Sequence, residues 1–281
     1  MGVGTREVFR EAAEALRRAG VESPLLEARA LIEYVLDAKQ YLWPRTIDED
    51  AASRVRELVG RRVTREPLQH ILGTQWFMGL ELAAGPAVMC VRPETEVMTQ
   101  WAIEWLSPRN TARVLDLCTG SGAIALAIAD RVPAARVTAV ELSTEACRLA
   151  RANASALSLP VTVIEADATV LNPRWLATFD LVISNPPYVP PRELPPEVAY
   201  DPAMALWGGG RDGLDIPSRI MAVAARYLIP GGALVVEHDD TQGASMRALA
   251  VDAGLINART FSDLAGRDRF VVSYAPATME S

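Results

Sequence analysis

The chain has 281 residues, of which 50% are hydrophobic and 22% are charged, and this ordinary globular composition excludes disordered, collagen-like and fibrous proteins. A formal net charge of -7 argues against a function that depends on binding a polyanion such as a nucleic acid. The longest apolar run, residues 123–129, is far shorter than the roughly 20 residues needed to cross a bilayer. We therefore expect a cytoplasmic protein that does not bind membranes, and the amphipathic start of the chain does not resemble a signal peptide.

Residues 1–74 have the apolar spacing of amphipathic helices. One helix is predicted over residues 5–19, and a second begins after Ser23 and Pro24, a cap followed by a first-turn proline. A third is predicted over residues 48–62. This part of the chain is predicted to form a small helical bundle.

Beyond residue 74 the pattern changes twice. Residues 75–92 alternate apolar and polar side chains around glycines, which predicts a hairpin linking two domains. Residues 93–281 then alternate strand and helix signals, which is typical of a parallel sheet covered by helices on both faces. Strands are predicted at residues 113–117, 136–140, 161–164, 179–184, 233–237, 256–260 and 269–274. Helices are predicted at residues 122–131, 144–157, 216–228 and 242–253.

The end of the chain departs from this alternation, because its last two predicted strands have no helix between them. A connection without a helix favours an antiparallel final strand. The predicted fold class is therefore α/β. We expect a Rossmann-like, seven-stranded sheet with a reversed strand at its edge, as in class I S-adenosylmethionine-dependent methyltransferases, preceded by the helical bundle.

The first chemical signal is a glycine-rich turn over residues 114–123, between a predicted strand and a predicted helix. Glycines there let the backbone approach a ligand, and the helix N-terminus offers unpaired N–H groups. A dinucleotide fingerprint and a purely structural turn remain alternatives. Asp116, just before the glycines, favours S-adenosylmethionine, because its carboxylate would pair with the cofactor's amino group and repel a pyrophosphate.

Acidic residues also end the next two predicted strands. Glu141 lies about twenty residues after the glycine-rich turn, where a carboxylate can accept hydrogen bonds from both ribose hydroxyls. A solvated acid at a strand end is the alternative. Asp167 and Ala168 follow the third strand and are predicted to line the adenine, with Asp167 accepting the exocyclic amine.

The strongest signal is the sequence Asn185-Pro186-Pro187-Tyr188, the NPPY turn, directly after an apolar strand. Two consecutive prolines fix φ and remove two N–H donors, so the turn is rigid and presents carbonyls. A planar –NH2 group could donate one hydrogen to the side-chain carbonyl of Asn185 and the other to the carbonyl of Pro186. Its nitrogen would then face a methyl donor, with Tyr188 as a flat surface against the planar acceptor. We therefore assign Asn185, Pro186 and Tyr188 to catalysis and all four residues to substrate binding.

With these motifs in place, the sequence resembles the HemK/PrmC family, whose members methylate the glutamine of the Gly-Gly-Gln motif in class I peptide-chain release factors. The resemblance covers nearly the whole chain. NPPY alone is shared with adenine-N6 and other amino-methyltransferases. More specific to the family are residues 92–96 (RPETE), 208–215 (GGGRDGLD) and 263–269 (DLAGRDR).

The resemblance implies a protein-(glutamine-N5) methyltransferase that uses S-adenosyl-L-methionine and releases S-adenosyl-L-homocysteine. It implies that the glycine-rich turn and Glu141 hold the cofactor, that Asn185 touches both the cofactor side and the target amide, and that the helical bundle helps to dock a release factor. The full set of predicted cofactor residues is Asp116, Thr119, Gly120, Ser121, Gly122, Ala123, Glu141, Asp167, Ala168 and Asn185.

Three places depart from the family pattern. Cys118 replaces the glycine usually found before Thr119, and its side chain could crowd the cofactor or point into the core. Residues 90–91 replace an Ile-Pro pair, and residues 237–240 (EHDD) replace a Glu-x-Gly start. None of the three is expected to touch Asn185 or Tyr188, so the expected consequence is confined to cofactor affinity.

The main alternative is an adenine-N6 methyltransferase that acts on DNA or RNA. Such an enzyme needs a basic groove to bind the nucleic acid, and the acidic composition argues against one. A dehydrogenase or an inactive cofactor-binding module is the third interpretation. Three cysteines without CxxC spacing and two scattered histidines predict free thiols and no metal site. The expected partners are class I release factors rather than nucleic acid, and a monomer is the default.

Overall fold

A computed structural model of the chain describes residues 2–109 and 111–277, which form two compact units. The first unit contains the residues up to Thr74 together with Ala84–Pro86 and Leu194–Tyr200, and the second contains the remainder. The predicted division into 1–74, 75–92 and 93–281 is continuous in sequence, whereas these units are not.

The first unit is a bundle of short helices around its own apolar core. Asp48 caps the third helix, because its side chain accepts a hydrogen bond of 2.7 Å from the Ala51 N–H. Pro24 opens the second helix as predicted, but Ser23 makes no side-chain cap hydrogen bond. The elements are β1 (Val3–Gly4), α1 (Thr5–Arg18), α2 (Pro24–Leu36), β2 (Thr46–Ile47), α3 (Glu49–Val63) and α4 (Leu68–Leu72).

The rest of the chain carries the sheet predicted from the strand signals. The strands of this part of the chain are β3 (Thr74–Phe77), β4 (Leu80–Ala83), β5 (Ala112–Leu117), β6 (Ala135–Glu141), β7 (Val161–Glu165), β8 (Phe179–Ser184), β9 (Leu228–Glu237), β10 (Ile256–Ser262) and β11 (Asp268–Tyr274). Of these, β3 and β4 form a separate two-stranded sheet. Its helices are α5 (Pro93–Leu106), α6 (Ala123–Arg131), α7 (Thr144–Ala156), α8 (Ala203–Leu206), α9 (Asp215–Tyr227) and α10 (Gly243–Asp252). No helix in the described part of the chain is long and apolar enough to cross a membrane.

The seven-stranded sheet has the order β10-β11-β9-β8-β5-β6-β7. The four pairs β9-β8, β8-β5, β5-β6 and β6-β7 are parallel. Strand β11 is antiparallel to both of its neighbours. The last strand is therefore reversed, as predicted, but it does not form the edge. It is inserted between β9 and β10, because β10 occupies the edge and β11 returns beside it.

Both faces of the sheet are covered, as parallel strands require. Alternate residues of β8 show this: Leu181 and Ile183 belong to one apolar core with α5 and α6, whereas Val182 belongs to another with α9 and α10. The polar carboxyl ends of β5, β6, β7 and β8 consequently meet along one edge of the sheet, where the predicted site residues lie.

Candidate active site

A cavity of about 360 Å³ lies within the second unit, at the carboxyl ends of the parallel strands. Nine predicted site residues line it: Thr119, Gly120, Ser121, Ala123, Glu141, Asp167, Ala168, Asn185 and Pro187. Four others are not part of its wall: Asp116, Gly122, Pro186 and Tyr188. The structure thus brings the glycine-rich turn, the two acidic strand ends and the NPPY turn around one space.

The glycine-rich turn is shaped by left-handed backbone conformations. Gly120 and Gly122 have φ of 55° and 86°, which glycine adopts without steric cost. A Cβ atom on Gly122 would also come within 3.2 Å of a side-chain carbon of Leu126 in α6. The turn therefore needs glycine at 122 for close packing as well as for its backbone angle.

Cys118 has φ of 62°, so the family departure occupies a left-handed position that suits glycine. The residue belongs to the cavity wall, and its side chain packs against the apolar core that contains Val182. Burial raises the pKa of the thiol, which disfavours a reactive thiolate. The replacement of glycine by Cys118 thus adds backbone strain, while the side chain packs against the core.

Glu141 holds the turn from the next strand. One carboxylate oxygen accepts the Gly120 N–H at 2.9 Å, and the other accepts the N–H groups of Leu142 and Ser143, each at 2.9 Å. A carboxylate offers about four acceptor positions, so three backbone bonds leave one acceptor position of Glu141 unused.

Asp167 is arranged in a similar way. Its Oδ1 accepts both the backbone N–H and the hydroxyl of Thr169, at 2.8 and 2.7 Å. Its Oδ2 takes part in no hydrogen bond with the residues that the structure describes, so an acceptor is available at the third strand end.

Asp116 lies behind the cavity wall, fully buried. Thr119, which does line the cavity, donates its hydroxyl to Asp116 Oδ2 at 2.5 Å. Asp116 Oδ1 has no hydrogen-bond partner in the described chain, and burial raises the pKa of this carboxyl to about 7. Its predicted contact with the cofactor's amino group stays a prediction.

The NPPY turn starts immediately after β8. The Nδ2 of Asn185 donates to Thr95 Oγ1 at 3.2 Å, and the hydroxyl of Tyr188 donates to Glu237 Oε1 at 3.0 Å. Pro186 is buried, whereas Pro187 contributes to the cavity wall. The structure therefore places Asn185 at the cavity and directs the Tyr188 hydroxyl into a buried carboxylate.

The segment 208–215 (GGGRDGLD) packs directly on this turn. A Cβ atom on Gly213 would lie 2.2 Å from the Tyr188 carbonyl oxygen, and one on Gly208 would lie 2.8 Å from the Tyr188 Cα. The side chain of Gln242 connects the two segments, since its Nε2 donates hydrogen bonds to the carbonyls of Tyr188 and Asp212 at 2.8 and 2.7 Å. These close approaches give a physical reason for glycine at both positions.

The expectation that residues 237–240 do not touch the NPPY turn is wrong, because Glu237 Oε1 accepts the hydroxyl of Tyr188 at 3.0 Å. Asp239 is almost fully buried and forms an ion pair of 2.6 Å with Arg192. Arg192 lies four residues after the NPPY turn. The hydrogen bonds from Thr241 and Arg192 keep the pKa of Asp239 below its usual value, despite burial. The altered turn therefore anchors the loop that follows the NPPY turn.

Thr95 and Glu237 were not predicted as site residues. Both are buried, at 4% and 0% exposure, and both bond to the NPPY turn. Thr95 lies in the family-specific segment 92–96, and Glu237 ends a parallel strand. A search for polar residues at every strand end, rather than the first four, would have found Glu237.

The comparisons with known proteins agree with this geometry. The seven-stranded sheet with its reversed strand is a Rossmann-like fold. A methyltransferase of Pyrococcus furiosus shares this fold, with a TM-score of 0.52 and 17% identity over 80% of this chain and 98% of that one. Residues 7–73 match the PrmC N-terminal domain, and residues 81–201 match the methyltransferase small domain.

Full-length relatives define the family. The release factor glutamine methyltransferase of Mycolicibacterium smegmatis is 42% identical over 95% of this chain and 96% of its own length. That of Streptomyces coelicolor is 42% identical over 94% and 95%, and that of Deinococcus radiodurans is 39% identical over 95% and 96%. This chain belongs to the release factor glutamine methyltransferase family.

Proposed function

We propose that this protein transfers a methyl group from S-adenosyl-L-methionine to the N5 side-chain amide of the glutamine in the Gly-Gly-Gln motif of class I peptide-chain release factors. The observation that carries the proposal is the position of Asn185, which lines the same cavity as the glycine-rich turn and Glu141. Sequence similarity to release factor glutamine methyltransferases over nearly the whole length of the chain supports a release factor as the substrate.

The residues around the cavity fit the cofactor. Glu141 keeps an acceptor position for the ribose, and Asp167 keeps Oδ2 for the adenine amine. Ala168, Ile216 and Ile220 supply an apolar wall beside it. When bound, S-adenosyl-L-methionine supplies a methyl group on a positively charged sulfur, and the product S-adenosyl-L-homocysteine is a good leaving group.

On the acceptor side, the task of the NPPY turn is to hold a weak nucleophile. The amide lone pair is delocalised, so the nitrogen attacks only when its two hydrogens are held and pyramidal geometry is favoured. The side-chain carbonyl of Asn185 accepts one hydrogen. The backbone carbonyl of Pro186 is the predicted second acceptor, although this buried residue is not part of the cavity wall. No strong base is needed, because the proton becomes acidic as the new bond forms and leaves late to solvent.

The finer points of the proposal concern partner and place. We assign the protein to the cytoplasm, consistent with free thiols at Cys90, Cys118 and Cys147. We propose that it acts as a monomer, that the helical bundle docks the release factor, and that it needs neither a nucleic acid nor a metal.

The test is methyl transfer with position-resolved product analysis. Purified protein is incubated with labelled S-adenosyl-L-methionine and either an unmodified release factor or duplex DNA, and tandem mass spectrometry locates the label. A release factor carrying alanine in place of the motif glutamine is the matched control. We expect label on that glutamine alone; label on DNA adenine with none on the release factor would contradict the proposal and favour the adenine-N6 alternative.

A further inference from the structure

Four side chains from separate parts of the second unit form a continuous hydrogen-bonded chain behind the cavity. Asn185 Nδ2 contacts Thr95 Oγ1 at 3.2 Å, and Thr95 Oγ1 contacts Glu237 Oε2 at 2.7 Å. The second oxygen of Glu237 accepts the hydroxyl of Tyr188 at 3.0 Å. Both ends of the NPPY turn are therefore tied to one buried carboxylate.

The hydrogen count of this chain fixes the orientation of the Asn185 amide. An ionised carboxylate only accepts, so Thr95 must give its single hydroxyl hydrogen to Glu237. The Thr95 oxygen can then only accept from Asn185, which requires the Nδ2 of Asn185, and not its Oδ1, to face Thr95. The Oδ1 consequently points away from Thr95 and is free to accept a hydrogen from a ligand.

We propose that Thr95 and Glu237 are positioning residues that set the direction of the Asn185 amide, and so make the site select an acceptor that brings an N–H donor. The inference rests on the proposed function and deepens it. With its amide turned the other way, Asn185 would offer a donor to the substrate, and the site would suit a glutamate carboxylate as well as a glutamine amide.

The burial of the carboxylate supports this assignment and makes it sensitive to pH. Burial raises the pKa of Glu237 to about 7, against the lowering effect of its bonds from Thr95 and Tyr188. Among nearby charges, Glu94 raises this pKa and Arg269 lowers it. A protonated Glu237 can donate to Thr95, which frees the Thr95 hydrogen to bond Asn185 Oδ1. Methyl transfer should therefore increase as pH rises through about 7.

The first test compares Thr95→Val, which keeps the shape and removes the hydroxyl, with Thr95→Ser, which keeps the hydroxyl. We expect Thr95→Val to lower kcat by about 10- to 100-fold and to leave the Kd for S-adenosylmethionine within about twofold, because a misdirected amide costs orientation rather than cofactor binding. Thr95→Ser should restore kcat to within about threefold of the parent. Glu237→Gln should lose the increase near pH 7, which Thr95→Ser should keep.

A kcat for Thr95→Val within twofold of the parent overturns the proposal, and so does a Thr95→Ser variant as slow as Thr95→Val, since the loss then reflects packing rather than the hydroxyl.

The second test needs no turnover. In nitrogen-15 NMR spectra of the protein without substrate, the side-chain NH2 of Asn185 is assigned by its loss in Asn185→Ala. We expect slow hydrogen exchange for this group in the parent and in Thr95→Ser, and fast exchange in Thr95→Val. Equal exchange in all three proteins overturns the proposal. If the parent methylates no release factor but the predicted exchange pattern is seen, the proposed function fails while the hydrogen-bonded chain stands.

Discussion

The two halves of the cavity are built in different ways. On the half that we propose holds the cofactor, the hydrogen bonds that shape the wall join residues close in sequence: Thr119 and Asp116 are 3 residues apart, and Gly120 and Glu141 are 21 apart. On the acceptor half, the bonds span 90 residues from Asn185 to Thr95 and 142 residues from Thr95 to Glu237.

This difference indicates a division of labour. A turn fixed by its own backbone and its nearest strand forms wherever the local sequence allows it. A turn fixed by distant side chains takes its geometry only when the whole sheet is in register. We therefore expect changes on the acceptor half to lower kcat and changes on the cofactor half to act on binding and stability. The predictions below test this division, from the largest expected effect to the smallest.

Asn185→Ala should have the largest effect on turnover. Removing the side-chain carbonyl removes the acceptor that holds the substrate amide, so we expect kcat to fall by at least about 10²- to 10³-fold. The Kd for S-adenosylmethionine, measured by calorimetry, should stay within about threefold, since the cofactor wall is shaped by other bonds. Asn172→Ala, at an asparagine outside the cavity wall, is the control. Loss of cofactor binding in Asn185→Ala to the same extent as turnover would break the division between the halves.

Gly213→Ala should displace the NPPY turn, because the added Cβ would clash with the backbone of Tyr188. Gly213 and Gly231 have the same φ of 76°, but an added Cβ meets the Tyr188 carbonyl oxygen at 2.2 Å at position 213 and no atom within 4 Å at position 231. Gly231→Ala is thus a matched control for backbone strain alone, costing about 1–2 kcal/mol of stability. We expect Gly213→Ala to lower kcat by about 100-fold in addition to that cost. Equal kcat in the two variants would show that the close approach to Tyr188 does not matter.

Asp116→Asn should change how stability depends on pH. The pKa of Asp116 is raised to about 7 in the folded protein, from an ordinary 3.8. A raised carboxyl pKa contributes stability that is present below the unfolded value and is lost as pH rises through the folded value. Relative to Asp116→Asn, the parent should therefore lose on the order of 3 kcal/mol between about pH 4 and pH 7, measured by urea unfolding. Parallel pH profiles would mean that Asp116 is already charged in the folded state.

Cys118→Gly should have the smallest effect. Glycine relieves the left-handed strain at φ of 62°, worth about 1–2 kcal/mol, but restores about 0.5–1 kcal/mol of chain entropy to the unfolded state. We expect Cys118→Gly to be more stable than Cys118→Ala, which keeps the strain and also loses the thiol, by about 1 kcal/mol. Thermal unfolding of the two variants checks the order, and a more stable alanine variant would contradict it.

The same contrast explains what the sequence could reveal. All seven strands of the large sheet were predicted, because each contains a short apolar run bounded by turn residues. The start of β9 was missed, since the strand was predicted from residue 233 and begins at Leu228. The glycine-rich turn, Glu141, Asp167 and Asn185 could be predicted to lie together because each is at or just after the carboxyl end of a strand, and the parallel topology brings those ends around one cavity.

What the sequence could not show depends on long-range contacts. The position of β11 inside the sheet is set by pairing with β9 and β10, for which no local signal exists. Thr95 sits in the first turn of α5, where a threonine is unremarkable until the fold brings Glu237 and Asn185 against it. For Tyr188 the predicted contact of the ring with the acceptor stays a prediction, and the bond of its hydroxyl to Glu237 was not predicted.

The most direct test of the central claim is a crystal structure of the protein with S-adenosyl-L-homocysteine and a peptide containing Gly-Gly-Gln. We predict that Asn185 Oδ1 lies about 3 Å from the glutamine amide nitrogen, while Asn185 Nδ2 keeps its bond to Thr95. The amide nitrogen should face the homocysteine sulfur across the space of one methyl group. A glutamine side chain bound away from the NPPY turn, or held there without a hydrogen bond to Asn185, would contradict the account.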